Sequence, residues 1–370
     1  MDNNQKLSVA SIVLVFVCLF AFMFAYFKWD VKEISVQTLG VFGENRLETV
    51  LGQDGVNSID CGTVTMWTFA DTLIGDKPST PVSVSSTFNG KFKSMQSNTI
   101  AFTKATEDPN NAIFHFYQKD GQAIEFIKYR PGESNLTRRF WANDGIKVGG
   151  TVYVYYMQVT LTRDARLFQV DGVGIATWSP KNYPWWEIGD PIEFVRHDDL
   201  FKTDVTFGDC VLEYKNYIYI VGHYVENKKG KIKIARVNKF ELLNNKAYRF
   251  LNDSGEWVED INKAGSFFDN VCGEVSVSYD KEHELFIFFY CSLDGKIYRA
   301  ITKKLEEINT AKHIMIYQPE KIESDKAFML YYSAKEIYND KDWLYVVYMN
   351  PKNYQPILLK VEKPFSYEEK

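Results

Sequence analysis

Carboxylates lie beside a set of similar apolar segments, and they are the residues in this sequence best suited to chemistry. The first segment, residues 62–69, reads Gly-Thr-Val-Thr-Met-Trp-Thr-Phe and lies between Asp60 and Asp71. Its alternation of apolar and polar residues predicts a half-buried β-strand with an acid at each end. Such a strand can present carboxylates at the rim of a sheet.

The same pattern recurs along the chain, with turn residues followed by an apolar or aromatic strand. The five copies begin at Gly62, Gly150, Asn216, Glu284 and Asp342. Their spacing is roughly 60 to 90 residues, and further strand-like segments lie between them. This recurrence predicts an all-β fold, a five-bladed β-propeller whose radial closure protects the sheet edges. A two-sheet sandwich is the alternative, but it accounts for the strands without accounting for their recurrence.

Acidic residues also precede the later copies, and we take four of them as site candidates: Asp144, Asp209, Glu274 and Glu336. If they lie on innermost strands, they converge with Asp60 or Asp71 near one mouth of the central channel. Glycoside hydrolysis uses one carboxylic acid to protonate the leaving oxygen and a second carboxylate as base or nucleophile. Crowded like charges raise the pKa of one member and keep it protonated near neutral pH. The alternative for each acid is a solvated turn residue.

Aromatic side chains near the proposed mouth can stack on sugar faces, and Trp67, Trp141 and Trp186 are the tryptophan candidates. Trp186 follows Pro184 and Trp185, and it alternatively covers a blade edge. The five histidines show no metal-ligand spacing. No catalytic-serine motif, phosphate loop or dinucleotide fingerprint is present. We therefore expect neither a metal nor a cofactor.

Composition and charge exclude some classes of function for this protein. The chain has 370 residues with a net charge of −5, and 16% of its residues are aromatic. No block of five or more basic residues occurs, so we expect no binding to nucleic acid. Beyond the N-terminal region there are four cysteines, an even number that permits two disulfides, with buried free thiols as the alternative.

An uncharged apolar run, residues 9–27, precedes the repeats. It is long enough to cross a bilayer as a helix, which predicts an uncleaved signal anchor. A cleaved signal peptide and a buried core helix are the alternatives, although the bulky Tyr26 and Phe27 do not suit a cleavage site. We expect residues 1–32 to form the anchor and connector and residues 33–370 the propeller. The protein would then be membrane-anchored with an extracytoplasmic domain, or secreted.

Several short segments resemble, in order, one protein family. Residues 66–75 resemble the W-x-F-G-D-T strand of a former domain-of-unknown-function family that includes endo-D-arabinanases. Residues 141–155 resemble the entry to its second blade, and residues 172–178 are similar to the strand that follows. Residues 273–278 resemble its fourth-blade motif. The resemblance extends over about residues 55–350.

The resemblance implies a five-bladed propeller that cleaves glycosidic bonds in a polysaccharide or glycan, with an arabinan-type substrate. It implies Asp71 as base or nucleophile and Glu274 as general acid, with the two roles exchangeable. Asp209, chosen from its position in the repeat, would orient them or tune their pKa. Ala70 stands where the family has Gly, whose backbone reaches angles that Ala resists. The alternative function is a non-catalytic propeller that binds carbohydrate or protein at the cell surface.

Overall fold

The computed structural model describes residues 34–43, 47–76, 92–164, 167–180, 192–322 and 330–363. The predicted anchor at residues 9–27 and the candidate Trp186 lie outside these ranges. Within them, no helix is long and apolar enough to span a bilayer. One compact unit extends over Val36–Val361. The division into an anchor and a propeller domain stays a prediction.

The regular secondary structure of the described residues is almost entirely β-strand, which confirms the all-β prediction. Aromatic and β-branched side chains suit pleated, half-buried surfaces. In chain order the strands are β1 (Val36–Val41), β2 (Val50–Gln53), β3 (Asn57–Asp60), β4 (Val64–Phe69), β5 (Thr72–Gly75), β6 (Phe92–Gln96), β7 (Thr99–Lys104), β8 (His115–Phe116), β9 (Gln118–Lys119), β10 (Gln122–Ala123), β11 (Arg138–Val148), β12 (Thr151–Leu161), β13 (Phe168–Trp178) and β14 (Val195–Phe201). They continue as β15 (Cys210–Tyr214), β16 (Tyr217–Glu226), β17 (Lys229–Asn238), β18 (Arg249–Leu251), β19 (Trp257–Val258), β20 (Ser276–Asp280), β21 (Leu285–Cys291), β22 (Ile297–Thr302), β23 (Lys312–Tyr317), β24 (Tyr332–Asn339), β25 (Trp343–Asn350) and β26 (Gln355–Glu362). Three short 3₁₀ helices occupy Asn245–Ala247, Ile261–Lys263 and Leu305–Thr310.

Five of the described sheets have four or five antiparallel strands, and we number them in chain order. Their strand orders are β3-β4-β7-β8 for sheet 1, β11-β12-β13-β14 for sheet 2, β15-β16-β17-β18-β19 for sheet 3, β20-β21-β22-β23 for sheet 4 and β24-β25-β26-β1 for sheet 5. A smaller sheet, β2-β5-β6, and the hairpin β9-β10 are added to this set. Each of the five recurring segments found in the sequence is the second strand of its own sheet.

The first strands of the five sheets form a closed series of contacts. Strand β3 contacts β11 and β24, β11 contacts β15, β15 contacts β20, and β20 contacts β24. Sheet 5 joins the two ends of the unit, because β1 pairs with β26 and places Val36 opposite Val361. Pairing of the first strand with the last sheet leaves fewer open edges and holds the ring closed.

Apolar clusters fill the space between neighbouring sheets. One cluster joins sheets 1 and 2 through Met66 and Phe140, and others join sheets 2 and 3, sheets 3 and 4, and sheets 5 and 1. Gly145 on β11 lies where a Cβ would stand 2.3 Å from the carbonyl oxygen of Tyr153 and 2.7 Å from Ile59. Gly145 therefore suits the close approach of β11 to the backbone of β12 at this point in sheet 2. The packed sheets thus hold their first strands in contact with one another.

Candidate active site

Three carboxylates come together where sheets 1 and 4 begin, and we call them the Asp54 cluster: Asp54, Asp71 and Glu274. Asp54 precedes β3, Asp71 lies between β4 and β5, and Glu274 precedes β20. Backbone hydrogen bonds place Asp54 next to Asp71: the Asp54 amide donates to the Asp71 carbonyl at 2.8 Å, and the Ala70 amide donates to the Asp54 carbonyl at 2.8 Å. The position of two of the three acids is therefore fixed by main-chain bonds.

Gly55 brings the third acid close to this pair. Its φ of +54° lies in the left-handed region, and a Cβ there would lie 3.5 Å from Ala70 Cβ and 3.7 Å from Glu274 Oε1. Gly suits this position because L side chains rarely adopt such angles. Ala70 is absent from the described non-Gly residues with positive φ. Its backbone is thus compatible with Ala, so the replacement of the family's Gly does not strain the chain next to Asp71.

Asp54 is an acid that holds its proton close to neutral pH. Burial raises its pKa from 3.8 to about 7, and the negative charges of Glu274 and Asp71 add to the shift. Hydrogen bonds from Tyr354 and Tyr332 oppose the rise. The Tyr354 hydroxyl donates to Asp54 Oδ2 at 3.0 Å, and the Gly55 amide donates to Oδ1 at 2.7 Å. Hydrogen-bond donors therefore orient the Asp54 carboxyl, while burial and the neighbouring carboxylates disfavour its ionised form.

Asp71 differs from Asp54 in having a cation and an indole beside it. Trp141 Nε1 donates to Asp71 Oδ1 at 2.9 Å, and Arg139 Nε lies 3.9 Å from the same oxygen. Burial raises the pKa of Asp71 to about 6, against the charge of Arg139 and the hydrogen bond of Trp141. Trp141 was expected to stack on sugar. Its indole instead holds the acid, and its ring packs edge-on against Phe168, with centroids 4.8 Å apart.

Asp209 is fully buried and is bound to a histidine. It accepts hydrogen bonds from Thr206 Oγ1 at 2.7 Å and from the His223 amide at 2.8 Å, and His223 Nδ1 lies 2.7 Å from Oδ2. Burial acts to lower the pKa of His223, but the charge and hydrogen bond of Asp209, together with Glu274, outweigh it and raise the pKa. Asp209 therefore faces His223, and His223 lies within electrostatic reach of Glu274.

A second group of charged side chains surrounds a cavity of about 180 Å³ that is lined by residues of all five first strands. We call it the central cluster: Asp144, Asp209, Lys335 and Glu336. Asp144 accepts from the amides of Gly145 and Val211, both at 2.8 Å. Burial raises its pKa to about 7, opposed by these two hydrogen bonds and by the charge of Lys335.

The other members of the central cluster are held by polar neighbours. Lys335 Nζ donates to Asn57 Oδ1 at 2.6 Å, and Glu336 Oε2 accepts from Ser278 Oγ at 2.6 Å. In the described ranges, no group of three or more His, Cys, Asp or Glu side chains has a geometry that could hold a metal ion. Asp144, Asp209 and Glu336 line the central cavity, whereas Asp71 and Glu274 are not among its lining residues.

Two further candidates lie away from both clusters. Trp67 is only 2% exposed, its Nε1 donates to Thr103 Oγ1 at 2.9 Å, and its ring packs on Phe42 and Phe114. This position corrects the expectation of a sugar contact, because no ring face is open to a ligand. Asp60 is exposed and accepts from the Gly62 amide at 2.7 Å, which is the geometry of a turn.

Asp54 is the acid that the sequence analysis missed. The repeat was aligned on second strands, and β3, which follows Asp54, is only four residues long. A local signal was present, because Asp54-Gly55 matches Asp144-Gly145 at the corresponding first strand of sheet 2. The Asp-Gly pairs near the first strands of sheets 1 and 2 are the signal that could have pointed to Asp54.

Comparison with known protein families identifies the family of this chain. Residues 54–360 match the family described as "Domain of unknown function (DUF4185)". The chain belongs to this family. The match begins at Asp54 and includes every described member of the two clusters. The family resemblance seen in the sequence is thereby confirmed, whereas an endo-arabinanase activity is not part of this finding. No curated protein matches the DUF4185 chain.

Solved structures with a similar fold include glycoside hydrolases. A candidate hydrolase from Bacteroides ovatus ATCC 8483 is 16% identical, with a TM-score of 0.66 and 88% of each chain covered. A GH43_1 enzyme from Xanthomonas citri is 11% identical, with a TM-score of 0.50, and the alignment covers 90% of this chain and 92% of that one. The structural neighbours are β-propellers. At these identities the likeness shows a shared propeller fold.

Proposed function

We propose that the DUF4185 chain is a glycoside hydrolase that cleaves glycosidic bonds in a polysaccharide or glycan with the Asp54 cluster. The observation that carries this proposal is the joint burial of Asp54, Asp71 and Glu274, which raises the pKa of Asp54 and Asp71 toward neutral pH, while Arg139 and Trp141 beside Asp71 favour its ionised form. Pairs of acids whose environments separate their pKa values supply the acid and the base of glycoside hydrolysis. The glycoside hydrolases among the structural neighbours support the same reaction class.

In this proposal Asp71 is the base or nucleophile. Its pKa of about 6 leaves it ionised at pH 7, and Arg139 and Trp141 orient the carboxylate. The proton for the leaving oxygen comes from the pair Asp54 and Glu274, in which Asp54 is the member with a pKa of about 7. When two acids interact strongly, the proton belongs to the pair. The sequence-based assignment of Glu274 as the acid is thereby widened to include Asp54.

Asp209 acts through His223 in the same scheme. The pair fixes the imidazole next to Glu274, so that a positive charge faces that acid when His223 is protonated. In this scheme Asp209 is a positioning residue. Asp144 and Glu336 line the central cavity and act as substrate-binding residues in this scheme.

We further infer that the five large sheets are the blades of one five-bladed propeller. Support comes from the closed order of first-strand contacts and from the central cavity that all five strands line. The apolar run at residues 9–27 supports an extracytoplasmic location, either anchored in the membrane or secreted. A polysaccharide substrate is consistent with such a location.

The test is a screen of the purified ectodomain, from about residue 33, for release of reducing ends from arabinan, galactan and xylan. We expect cleavage of at least one, with arabinan the first choice. If glycans bind and none is cleaved, the chain is a carbohydrate-binding propeller and the hydrolase proposal is wrong. A screen at pH 5.5, 6.5 and 7.5 covers the protonation states of the Asp54 cluster.

A further inference from the structure

A second cavity, of about 650 Å³, lies between sheets 3 and 4. It is formed by the β15–β16 turn around Lys215, the β20–β21 turn around Glu284 and the start of the 3₁₀ helix Leu305–Thr310. Its volume falls within the range of about 300–1,000 Å³ that is usual for small-ligand sites. We call it the sheet 3/4 groove.

The groove is distant from the Asp54 cluster. Glu274 precedes β20, whereas Tyr279 of the groove lies at the other end of the same strand. Likewise Asp209 precedes β15, and Tyr214 ends it. A five-residue strand extends for roughly 16 Å. The groove and the carboxylates therefore lie at opposite ends of the first strands.

Aromatic side chains make up much of the groove wall. Tyr214 and Tyr279 have ring centroids 4.5 Å apart. Tyr217 is 37% exposed, and its ring is held from behind by the Arg236 guanidinium, 4.6 Å from the ring centroid. Arg236 also lies 4.2 Å from the ring of Trp257. Cation–π contacts on both sides fix Arg236, so Tyr217 is presented as a rigid platform.

The groove also carries an excess of cationic side chains. Its lining contains Lys215, Arg236, Lys303 and Lys304 against two carboxylates, those of Glu284 and Glu306. Part of this charge is neutralised within the protein, because Lys304 pairs with Glu307 at 2.7 Å and Arg236 lies 3.9 Å from Glu306. Lys215, in the β15–β16 turn, and Lys303 are exposed and extend the positive charge toward solvent. This arrangement favours a ligand with negative charge.

We propose that the sheet 3/4 groove is a second, non-catalytic binding site for an acidic oligosaccharide, one whose sugar rings carry carboxylates. Tyrosine rings offer an apolar face to a sugar ring and a hydroxyl to its oxygens. The lysines offer partners for a uronic carboxylate. The site would hold a charged polysaccharide on the chain independently of the cleavage site.

The test is a binding titration of the full-length chain with trigalacturonate, with the neutral trisaccharide galactotriose as the comparison. We expect trigalacturonate to bind and galactotriose to bind much more weakly. Tyr217→Ala removes the exposed platform and is expected to raise the Kd of trigalacturonate about three- to tenfold. Its control is Phe240→Ala, at an exposed aromatic residue outside the groove lining.

Lys215→Asn tests the charge with a matched control. Lys215 has a φ of +57° and Lys228, an exposed residue outside the groove lining, has a φ of +64°. Asn tolerates the left-handed region at both positions, so each variant loses one charge without backbone strain. We expect Lys215→Asn to raise the Kd about two- to fivefold and Lys228→Asn to leave it unchanged.

Three results would overturn the proposal: no binding of trigalacturonate at millimolar concentration, equal weakening by the Lys215 and Lys228 variants, or equally tight binding of galactotriose. The site does not depend on the hydrolase proposal. The groove variants should cleave the polysaccharide at the wild-type rate, and a wild-type chain that cleaves nothing should still bind trigalacturonate. Failure of one proposal is therefore distinguishable from failure of the other.

Discussion

The Asp54 cluster and the central cluster both contain a carboxyl with a pKa of about 7, yet they are built differently. Burial and two neighbouring carboxylates raise the pKa of Asp54, whereas burial alone raises that of Asp144 against two amide donors and Lys335. In the central cluster, backbone amides and hydroxyls already donate hydrogen bonds to the acids, and the charge of Lys335 favours ionised Asp144. A pKa near 7 therefore does not by itself mark a catalytic acid, and the neighbours decide which carboxyl can exchange a proton with a substrate.

The largest difference between the clusters should appear on removal of one charge from each. We expect Asp71→Asn to lower kcat on the cleaved polysaccharide about 10³-fold or more, because the base or nucleophile is lost. Asp144→Asn should lower kcat less than about tenfold, because this side chain accepts backbone hydrogen bonds in our account. Reducing-end assays on both variants, with circular dichroism as a folding control, make the comparison. Equal losses would place both clusters in the chemistry.

Asp54→Asn tests the source of the proton. The amide cannot protonate the leaving oxygen, so we expect a loss of about 10²–10⁴-fold on the polysaccharide. A 4-nitrophenyl glycoside of the same sugar needs little protonation of its leaving group, so its cleavage should fall less than about tenfold. The ratio of the two rates is the measurement. Equal losses on both substrates would remove Asp54 from the acid role.

The Glu274→Gln variant distinguishes the roles of Asp54 and Glu274 through the pH dependence of activity. Removal of the Glu274 charge lowers the pKa of Asp54, because a like charge that favours its protonated form is gone. Activity that requires protonated Asp54 would then be lost at a lower pH than in the wild type. The alkaline limb of the pH–activity profile would move to lower pH by about one unit. Loss of polysaccharide cleavage by this variant, with cleavage of the aryl glycoside reduced less than about tenfold, would return the acid role to Glu274.

The same acid should make stability depend on pH. The folded-state pKa of Asp54 is raised from 3.8 to about 7, so its favourable contribution is complete below pH 4 and is lost as the pH rises through 7. Asn carries no charge to bury. We expect Asp54→Asn to be more stable than wild type by about 2–4 kcal/mol at pH 8, with a smaller gap at pH 4.

Thermal unfolding at pH 4, 6 and 8 measures this gap in stability. Asp60→Asn is the matched control, since Asp60 is exposed in a turn of the same sheet. A gap for Asp54→Asn that does not change with pH would contradict a raised pKa in the folded state.

Ala70→Gly should have the smallest effect. Ala70 lacks positive φ, so Gly offers it no angle that it needs. We expect kcat to stay within about twofold and stability to fall by about 0.5–1 kcal/mol through the greater freedom of the unfolded chain. A large gain in kcat would show that the family's Gly at this position sets the pose of Asp71.

The sequence predicted the sheets better than it predicted the site. Second strands such as β12 and β16 are ten or more residues long, and their aromatic periodicity reveals the repeat. Asp54 precedes a four-residue strand and has no such pattern beside it. The environments of Trp67 and Trp141 are also beyond a single sequence, because one is buried by Phe42 and the other reaches Asp71 across two sheets. Contacts between sheets decide these roles.

The most direct test of the account is the pH dependence of kcat/KM for the wild-type enzyme on the polysaccharide that it cleaves. Asp71 must be ionised and Asp54 protonated, so we predict a narrow bell-shaped profile with an acidic limb near pH 6 and an alkaline limb near pH 7. Because the two groups are close, the limbs report the titration of the cluster as a unit. A profile that is flat between pH 5 and 8 would contradict cleavage by the Asp54 cluster.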